Sequence, residues 1–193
     1  MDLVQQLLKR LPEGRSILAL EGPCASGKTT LAEALRRETG CPVIHMDHFF
    51  LRPEQRTKER LREPGGNFDR ERFLREVAFP LQSGSAFSYR PYLCHTQTFG
   101  EPVRIVPDGL CVVEGSYSCH PALWELYSLR IFLSVSPEEQ IVRIRKRNGE
   151  KAAEKFRDVW IPMENEYFTR YRIAERCDGR IGEEGREVIW QSF

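Results

Sequence analysis

The chain has 193 residues, a length that favours a single domain with one substantial core. Its 29 Lys and Arg residues nearly balance 28 Asp and Glu residues, and this balance argues against a dedicated nucleic-acid-binding protein. The six cysteines form no C-x-x-C pair, and neither a signal peptide nor an apolar run of membrane-spanning length is evident, so we expect a soluble, cytoplasmic protein with reduced thiols and no membrane partner.

The first predicted elements are a helix and a buried strand. Apolar residues recur at helical spacing from Leu3 to Leu11, and Pro12 with Gly14 ends that helix. Residues 16–20 are an apolar run of strand length. A second helix is predicted over residues 29–38, because its apolar spacing stops at Gly40.

Between this strand and this helix lies a phosphate-binding motif. Residues 22–29 satisfy the pattern G-x-x-x-x-G-K-[ST], with glycines that let consecutive amides turn inward around a polyphosphate. Lys28 is expected to reach the β- and γ-phosphates, and the Thr29 hydroxyl to ligate Mg²⁺. The expected nucleotide-binding residues of this loop are Gly22, Pro23, Cys24, Ala25, Ser26, Gly27, Lys28, Thr29 and Thr30.

The middle of the chain is less regular. Residues 41–46 predict a strand that ends at Asp47, whereas the charged residues 52–67 predict a mobile surface loop. Asp69 suits the N-cap of a helix that spans Phe73 to Leu81, with Phe68 and Phe73 as a hydrophobic staple. Residues 86–106 predict a hairpin or irregular insert.

The second half returns to alternating strands and helices. Residues 110–113 predict a strand buried on both faces that ends at Glu114, and residues 130–135 a further strand. Ser136 is a predicted helix N-cap, residues 159–171 suggest another helix, and residues 187–190 a last strand. This alternation predicts a parallel sheet covered on both faces, with ligands at the carboxyl ends of its strands.

Several motifs in order along residues 16–173 resemble the uridine kinase family of P-loop small-molecule kinases, whose relatives include phosphoribulokinase, pantothenate kinase and nicotinamide riboside kinase. The matching pieces are residues 22–29, Asp47 with Phe49-Phe50, Asn67-Phe68-Asp69, Tyr89–Tyr92, Val113-Glu114-Gly115 and the basic run from Arg143. The resemblance implies an α/β P-loop NTPase fold, a three-layer αβα sandwich with a mainly parallel sheet. It also implies one domain over residues 1–193, with a lid at about 143–158 and a hairpin-bearing acceptor insert at about 52–106.

The resemblance further implies transfer of the γ-phosphoryl group of ATP, with Mg²⁺, to a nucleoside hydroxyl, the 5′-hydroxyl of uridine or cytidine. Asp47 matches the family's base, Lys28 and Arg147 are the other expected catalytic residues, and Glu114 matches the acid that supports the metal beside Thr29. The lid supplies arginines to the phosphates, and Arg143, Arg147 and Arg157 are the candidates.

On the acceptor side, Asp69 and Tyr92 match residues that hold the nucleoside, and His95 and Gln97 both fall near the family's base-reading histidine. An equally weighted alternative is that Asp69 serves only as the N-cap of its helix. A sugar phosphate is an alternative acceptor, because it would need cations and residues 52–62 contain several arginines. Pantothenate and nicotinamide riboside are further alternatives. A non-catalytic nucleotide-binding switch is the competing hypothesis from another class, although such a module would not need Asp47. A homo-oligomer is left open.

Overall fold

Strand β1 (Ser16–Glu21) is buried along its whole length in a computed structural model that describes residues 2–191. The strands that follow are β2 (Val43–His45), β3 (Phe87–Tyr89), β4 (Tyr92–Leu93), β5 (Thr98–Phe99), β6 (Val103–Ile105), β7 (Leu110–Glu114), β8 (Leu129–Leu133), β9 (Gly179–Ile181) and β10 (Val188–Trp190). The helices are α1 (Leu3–Leu8), α2 (Lys28–Thr39), α3 (Lys58–Arg62), α4 (Arg70–Phe73), α5 (Phe79–Ser83), α6 (Pro137–Asn148), α7 (Glu150–Lys155), α8 (Ile161–Tyr171) and α9 (Ile173–Arg176).

The central sheet has six strands in the order β10-β9-β8-β1-β7-β2. Each pair from β9 to β2 is parallel, and β10 alone within the sheet runs antiparallel, to β9. In the register of β1, Leu18 lies opposite Val112 of β7 and Leu129 of β8. This arrangement confirms the predicted mainly parallel α/β architecture.

Successive residues of β1 face opposite sides of the sheet, and each side has its own core. Leu18 and Leu20 pack in the cluster that contains Leu31 and Leu35 of α2. Ile17 and Ala19 belong to the other cluster, which includes residues of α8 and α9. Because both faces are covered by helices, β1 reads as a continuous apolar run instead of an alternating one.

Two helical stretches are widened into π-helical turns, Leu74–Ala78 and Phe156–Trp160. Each is followed by a helix with proline at its second residue, Pro80 in α5 and Pro162 in α8. Proline cannot donate to the carbonyl four residues earlier and its ring crowds that carbonyl, which favours the wider turn. Pro162 thus lies in the first turn of α8, directly after one of the widened turns.

The segment expected as an irregular loop contains regular structure. Residues 52–67 include a 3₁₀ turn at Pro53–Gln55 and helix α3. Arg60 fixes the segment by donating to the carbonyls of Gly66 and Phe68 and to the Glu71 carboxylate. Charged and backbone groups supply these contacts, so apolar periodicity did not reveal them.

The predicted hairpin insert is two small antiparallel sheets, β3 with β6 and β4 with β5. Strand β9 was not predicted, because its residues, Gly179–Ile181, form neither an apolar run nor an alternating pattern. Within residues 2–191, no helix combines the length and the apolar composition that crossing a membrane requires.

Candidate nucleotide and acceptor site

A cavity of about 670 Å³ opens where β1, β2 and β7 end. Its lining includes Lys28 and Asp47, which follow β1 and β2, and Glu114, the last residue of β7. The sheet order places β7 between β1 and β2, which brings the three strand ends together. The three positions therefore line one cavity, and their joint function stays a prediction.

The phosphate loop, residues 22–29, has a backbone shaped by positive φ angles. Gly22 has a φ of 143°, Ala25 of 63° and Gly27 of 98°. A Cβ at Gly22 would overlap the carbonyl oxygen of Leu133, so glycine is required there. Helix α2 starts immediately after Gly27, and its first three residues line the cavity. This loop and helix start fit a polyphosphate.

Lys28 is folded back over the loop. Its Nζ donates to the carbonyl oxygens of Gly22 and Pro23, each at 2.7 Å. The side chain is buried at 6% exposure, so its charge acts inside the site and not in bulk solvent. A bound phosphate would offer this ammonium group an anionic partner in place of neutral carbonyls.

The residues expected to hold Mg²⁺ are in contact. The Thr29 hydroxyl donates to Glu114 Oε1 over 3.1 Å, and His45 Nδ1 lies 2.6 Å from the same oxygen. The hydrogen bond to Glu114 raises the pKa of His45. Hydroxyl and carboxylate oxygens suit Mg²⁺, which keeps several waters and takes phosphate oxygens, so Thr29 and Glu114 fit this metal.

Asp47 lies in the 3₁₀ turn Met46–Phe49 after β2, and its side chain is accessible from the cavity. Desolvation by the surrounding protein raises the pKa of its carboxyl, and the charge of Glu114 raises it further. The positive charges of Lys28 and Arg147 oppose this rise. The carboxyl thus sits among the groups expected to bind phosphate and metal.

The three candidate lid arginines occupy different places. Arg143 and Arg147 line the cavity, and Arg143 Nη1 also donates to the Ala25 carbonyl of the phosphate loop over 3.2 Å. Arg157 is exposed and pairs with Asp158 at 2.8 Å, outside the cavity lining. The structure thus brings two of the three candidates to the site.

The acceptor residues expected from the resemblance are divided in the same way. Gln97 lines the cavity with a φ of 57°, and exposed His95 lies outside the lining. Tyr92 is buried, and its ring centroid lies 5.8 Å from that of Phe99. Tyr92 also lies outside the cavity lining.

Asp69 is held by the protein itself. Its Oδ1 caps α4 by accepting from the Arg72 amide at 3.1 Å, and its Oδ2 accepts from Gln55 Nε2 at 2.8 Å. The flanking rings of Phe68 and Phe73 lie 5.7 Å apart, as a hydrophobic staple requires. Both Asp69 oxygens are therefore engaged, and the residue lies outside the cavity lining.

Two buried glutamates were missed in the sequence. Glu164 of α8 accepts from the Cys24 amide at 2.9 Å and from the Ser116 hydroxyl at 2.7 Å. Burial raises the pKa of Glu21 to about 7, although the hydrogen bonds that Glu21 accepts lower it. The donors to Glu21 are Gly22 N, Tyr117 N, Cys119 N and the Tyr167 hydroxyl. These carboxylates tie the phosphate loop to the β7 end and to α8.

Other cavity residues come from two further stretches of the chain. Arg56, Asn67 and Cys94 belong to the stretch between β2 and β7, whereas Phe156 and Trp160 follow α7. Asn67 stood inside a motif quoted from the sequence, Arg56 among the arginines between residues 52 and 62, and Trp160 in a predicted helix, whereas Cys94 and Phe156 gave no signal there. The insert is joined to the segment after Asp47 by a backbone bridge between Phe50 and Phe68.

No protein-family model matches this chain. Among solved structures, it is similar to a possible uridine kinase from Bacillus stearothermophilus at 20% identity and a TM-score of 0.69, over 92% of this chain and 94% of that one. It is similar to a candidate fructose transport system kinase from Silicibacter sp. TM1040 at 24% identity and a TM-score of 0.66, over 86% and 92%. A D-glycerate 3-kinase from Cryptococcus neoformans var. grubii aligns at 15% identity and a TM-score of 0.62, over 98% and 97%. The chain therefore has the α/β P-loop NTPase fold that these kinases share.

Proposed function

We propose that this protein is an ATP-dependent kinase that phosphorylates a hydroxyl group of a small molecule. The observation that carries the proposal is the placement of the Asp47 carboxyl in one cavity with Lys28 and Thr29 of the phosphate loop. A module that only bound a nucleotide would not need an acid beside the phosphates. The fold shared with several small-molecule kinases supports the same reaction class.

In this proposal ATP supplies the phosphoryl group, and Mg²⁺ neutralises charge on its phosphates. Lys28, the amides of the phosphate loop and Arg143 bind the phosphates, and Thr29 with Glu114 holds the metal. Asp47 orients the acceptor hydroxyl and takes its proton. Arg147 reaches the cavity from α6 and stabilises the charge that develops during transfer.

For the acceptor, the first proposal from the sequence is a nucleoside, uridine or cytidine, phosphorylated on its 5′-hydroxyl. The motif resemblance supports it, and one similar structure carries the name of a possible uridine kinase. Other similar structures are named for fructose transport and for D-glycerate. Of the four residues proposed to read the nucleoside, Gln97 lines the cavity. The nucleoside proposal therefore rests mainly on the resemblance. A cytoplasmic location remains a sequence-based prediction, and a homo-oligomer is left open.

The test is a panel of acceptors with ATP and Mg²⁺, followed by ADP release and by detection of the phosphorylated product. The panel contains nucleosides, vitamins with a free hydroxyl, sugars, sugar phosphates and hydroxy acids. We expect acceptor-dependent ADP release with at least one class, and its loss in Lys28→Ala. If wild-type protein binds ATP but transfers phosphate to none of these classes, the kinase proposal is wrong.

A further inference from the structure

Arg56 stands apart from the other charged residues of the acceptor insert, residues 52–106. It lies in the turn just after Pro53–Gln55, is partly buried and lines the cavity. Its Nε donates to the Leu51 carbonyl over 3.0 Å, which fixes the base of the guanidinium group. Across residues 2–191, no carboxylate forms an ion pair with it.

Most other arginines of this region are neutralised by neighbouring acids. The pairs are Arg52 with Glu54, Arg60 with Glu71, Arg70 with Glu63, Arg72 with Glu76 and Arg75 with Glu76, all within 3.3 Å. Arg62, Arg90 and Arg104 also lack such a pair among the described residues, but all three are exposed and lie outside the cavity lining. Arg56 is thus the cation that this insert directs at the cavity without a counter-charge.

Arg56 lies in the same cavity as Asp47, the residue proposed to bind the acceptor hydroxyl. Exposed Cys94 lines this cavity too, and the pKa of its thiol is raised by desolvation and by the charge of Asp47 and lowered by the charge of Arg56. An acceptor whose hydroxyl lies at Asp47 can therefore have its other end at Arg56 within one cavity.

A partly desolvated guanidinium group without an acid partner is suited to a carboxylate or a phosphate, which it can bind through two parallel hydrogen bonds. A neutral nucleoside would leave this charge uncompensated at the edge of its own pocket. We propose that the acceptor is an anionic alcohol, a compound whose hydroxyl is phosphorylated beside Asp47 while its carboxylate or phosphate binds Arg56. This inference rests on the proposed kinase function and narrows its substrate class.

The experiment compares matched pairs of alcohols that differ in one anionic group. The carboxylate pairs are D-glycerate with glycerol and pantothenate with pantothenol, the phosphate pair is D-ribose 5-phosphate with D-ribose, and uridine is the nucleoside probe. Binding is measured by calorimetry with a non-hydrolysable ATP analogue and Mg²⁺ occupying the phosphate loop, and turnover by ADP release. The variants are Arg56→Gln, Arg56→Lys and, as the exposed control, Arg62→Gln.

We expect at least one anionic probe to bind and react about 10- to 100-fold better than its neutral partner, the range of one charge-assisted contact. Arg56→Gln should remove this preference, Arg56→Lys should keep part of it, and Arg62→Gln should keep it fully. The KM for ATP should not change in any of the three. The pair that responds tells whether the bound group is a carboxylate or a phosphate.

The inference is overturned if neutral and anionic partners are used equally, if uridine is the best substrate, or if Arg56→Gln alters only the KM for ATP. Activity with uridine and no binding of any anionic probe would leave the kinase function standing and remove the anionic acceptor. Conversely, if an anionic probe binds in an Arg56-dependent way but is not phosphorylated, the proposed anion site is supported and the proposed kinase function is contradicted. If no probe binds at all, the anionic acceptor is wrong.

Discussion

At the scale of single residues, Asp47 occupies a position that serves chemistry better than stability. Asp47 is exposed at the cavity, where desolvation by the cavity wall raises the pKa of its carboxyl and the charge of Glu114 raises it further. An ionised carboxylate in such a place is less stable than the same group in water. Its three partly compensating neighbours, Lys28, His45 and Arg147, lower the pKa again but do not cancel the rise.

The sign of this shift predicts how Asp47→Asn changes stability with pH. Because the folded pKa is raised, the unfolded chain loses the Asp47 proton first as pH increases, and wild-type stability falls between the unfolded and the folded pKa. Asp47→Asn removes this loss. Urea unfolding should therefore show the variant to be at least as stable as wild type at pH 7, with the difference shrinking as pH falls below the usual aspartate range.

A variant that is less stable than wild type at pH 7, by an amount that does not vary with pH, would contradict this assignment. The matched control is Asp158→Asn, because Asp158 is an exposed partner of Arg157 outside the cavity. Its pKa is lowered by the hydrogen bond to Arg157. Its substitution should therefore not stabilise the protein at pH 7.

At the scale of elements, α6 and the helical turns after it contribute residues of the proposed lid, at about residues 143–158, to the cavity lining. The helix is capped by Ser136, whose hydroxyl accepts from the Glu139 amide at 3.3 Å. It carries Arg143 against the phosphate loop and Arg147 one turn further along. Spacing of four residues puts both side chains on one face of the helix.

Substitutions in this lid should separate the arginines by function. Arg147→Ala should lower kcat by roughly 100-fold or more, since it removes a cation from the developing phosphoryl charge. Arg157→Ala, an exposed arginine of the same segment, should leave kcat within about twofold, because an exposed ion pair contributes little. Steady-state kinetics of both variants checks this. Equal losses of kcat in the two variants would contradict the assignment of Arg147, and not Arg157, to the transferring phosphate.

Some elements and residues were predictable from the sequence, and others were not. Asp47 and Glu114 were predictable because apolar strands end at them and parallel strands share one edge for their carboxyl ends. The N-cap role of Asp69 was predictable from local spacing. Cys94 and Glu164 were not, because their roles depend on how segments distant in sequence pack around the cavity. No short-range pattern in the sequence predicts such contacts. Arg56 was predictable only as one of several arginines between residues 52 and 62.

At the scale of the whole molecule, the phosphate loop is connected to several distant elements. Glu21 bonds the loop start to the turn after β7 and to Tyr167 of α8, and Glu164 bonds the loop to the same helix. A ligand that binds this loop binds the folded state alone. It must therefore stabilise the whole domain by mass action.

A non-hydrolysable ATP analogue with Mg²⁺ should accordingly raise the Tm of wild-type protein. At a concentration 100 times its Kd the gain is about 2.7 kcal/mol, which for a domain of this size corresponds to a shift of roughly 5–10 °C. Lys28→Ala should reduce this shift strongly, since the ammonium contact to the phosphates is lost. Thermal scans with and without the analogue provide the measurement, and an unchanged shift in Lys28→Ala would place the nucleotide elsewhere.

The most direct measurement is single-turnover transfer by Asp47→Asn, with the best acceptor of the panel and with nucleotide affinity measured on the same preparation. We expect the Kd for the Mg²⁺-bound ATP analogue to stay within a few-fold of wild type, because the phosphate loop is intact, while transfer falls by about 10²- to 10⁴-fold with the loss of the base. Near-normal transfer by the variant would show that the Asp47 carboxyl takes no part in the reaction.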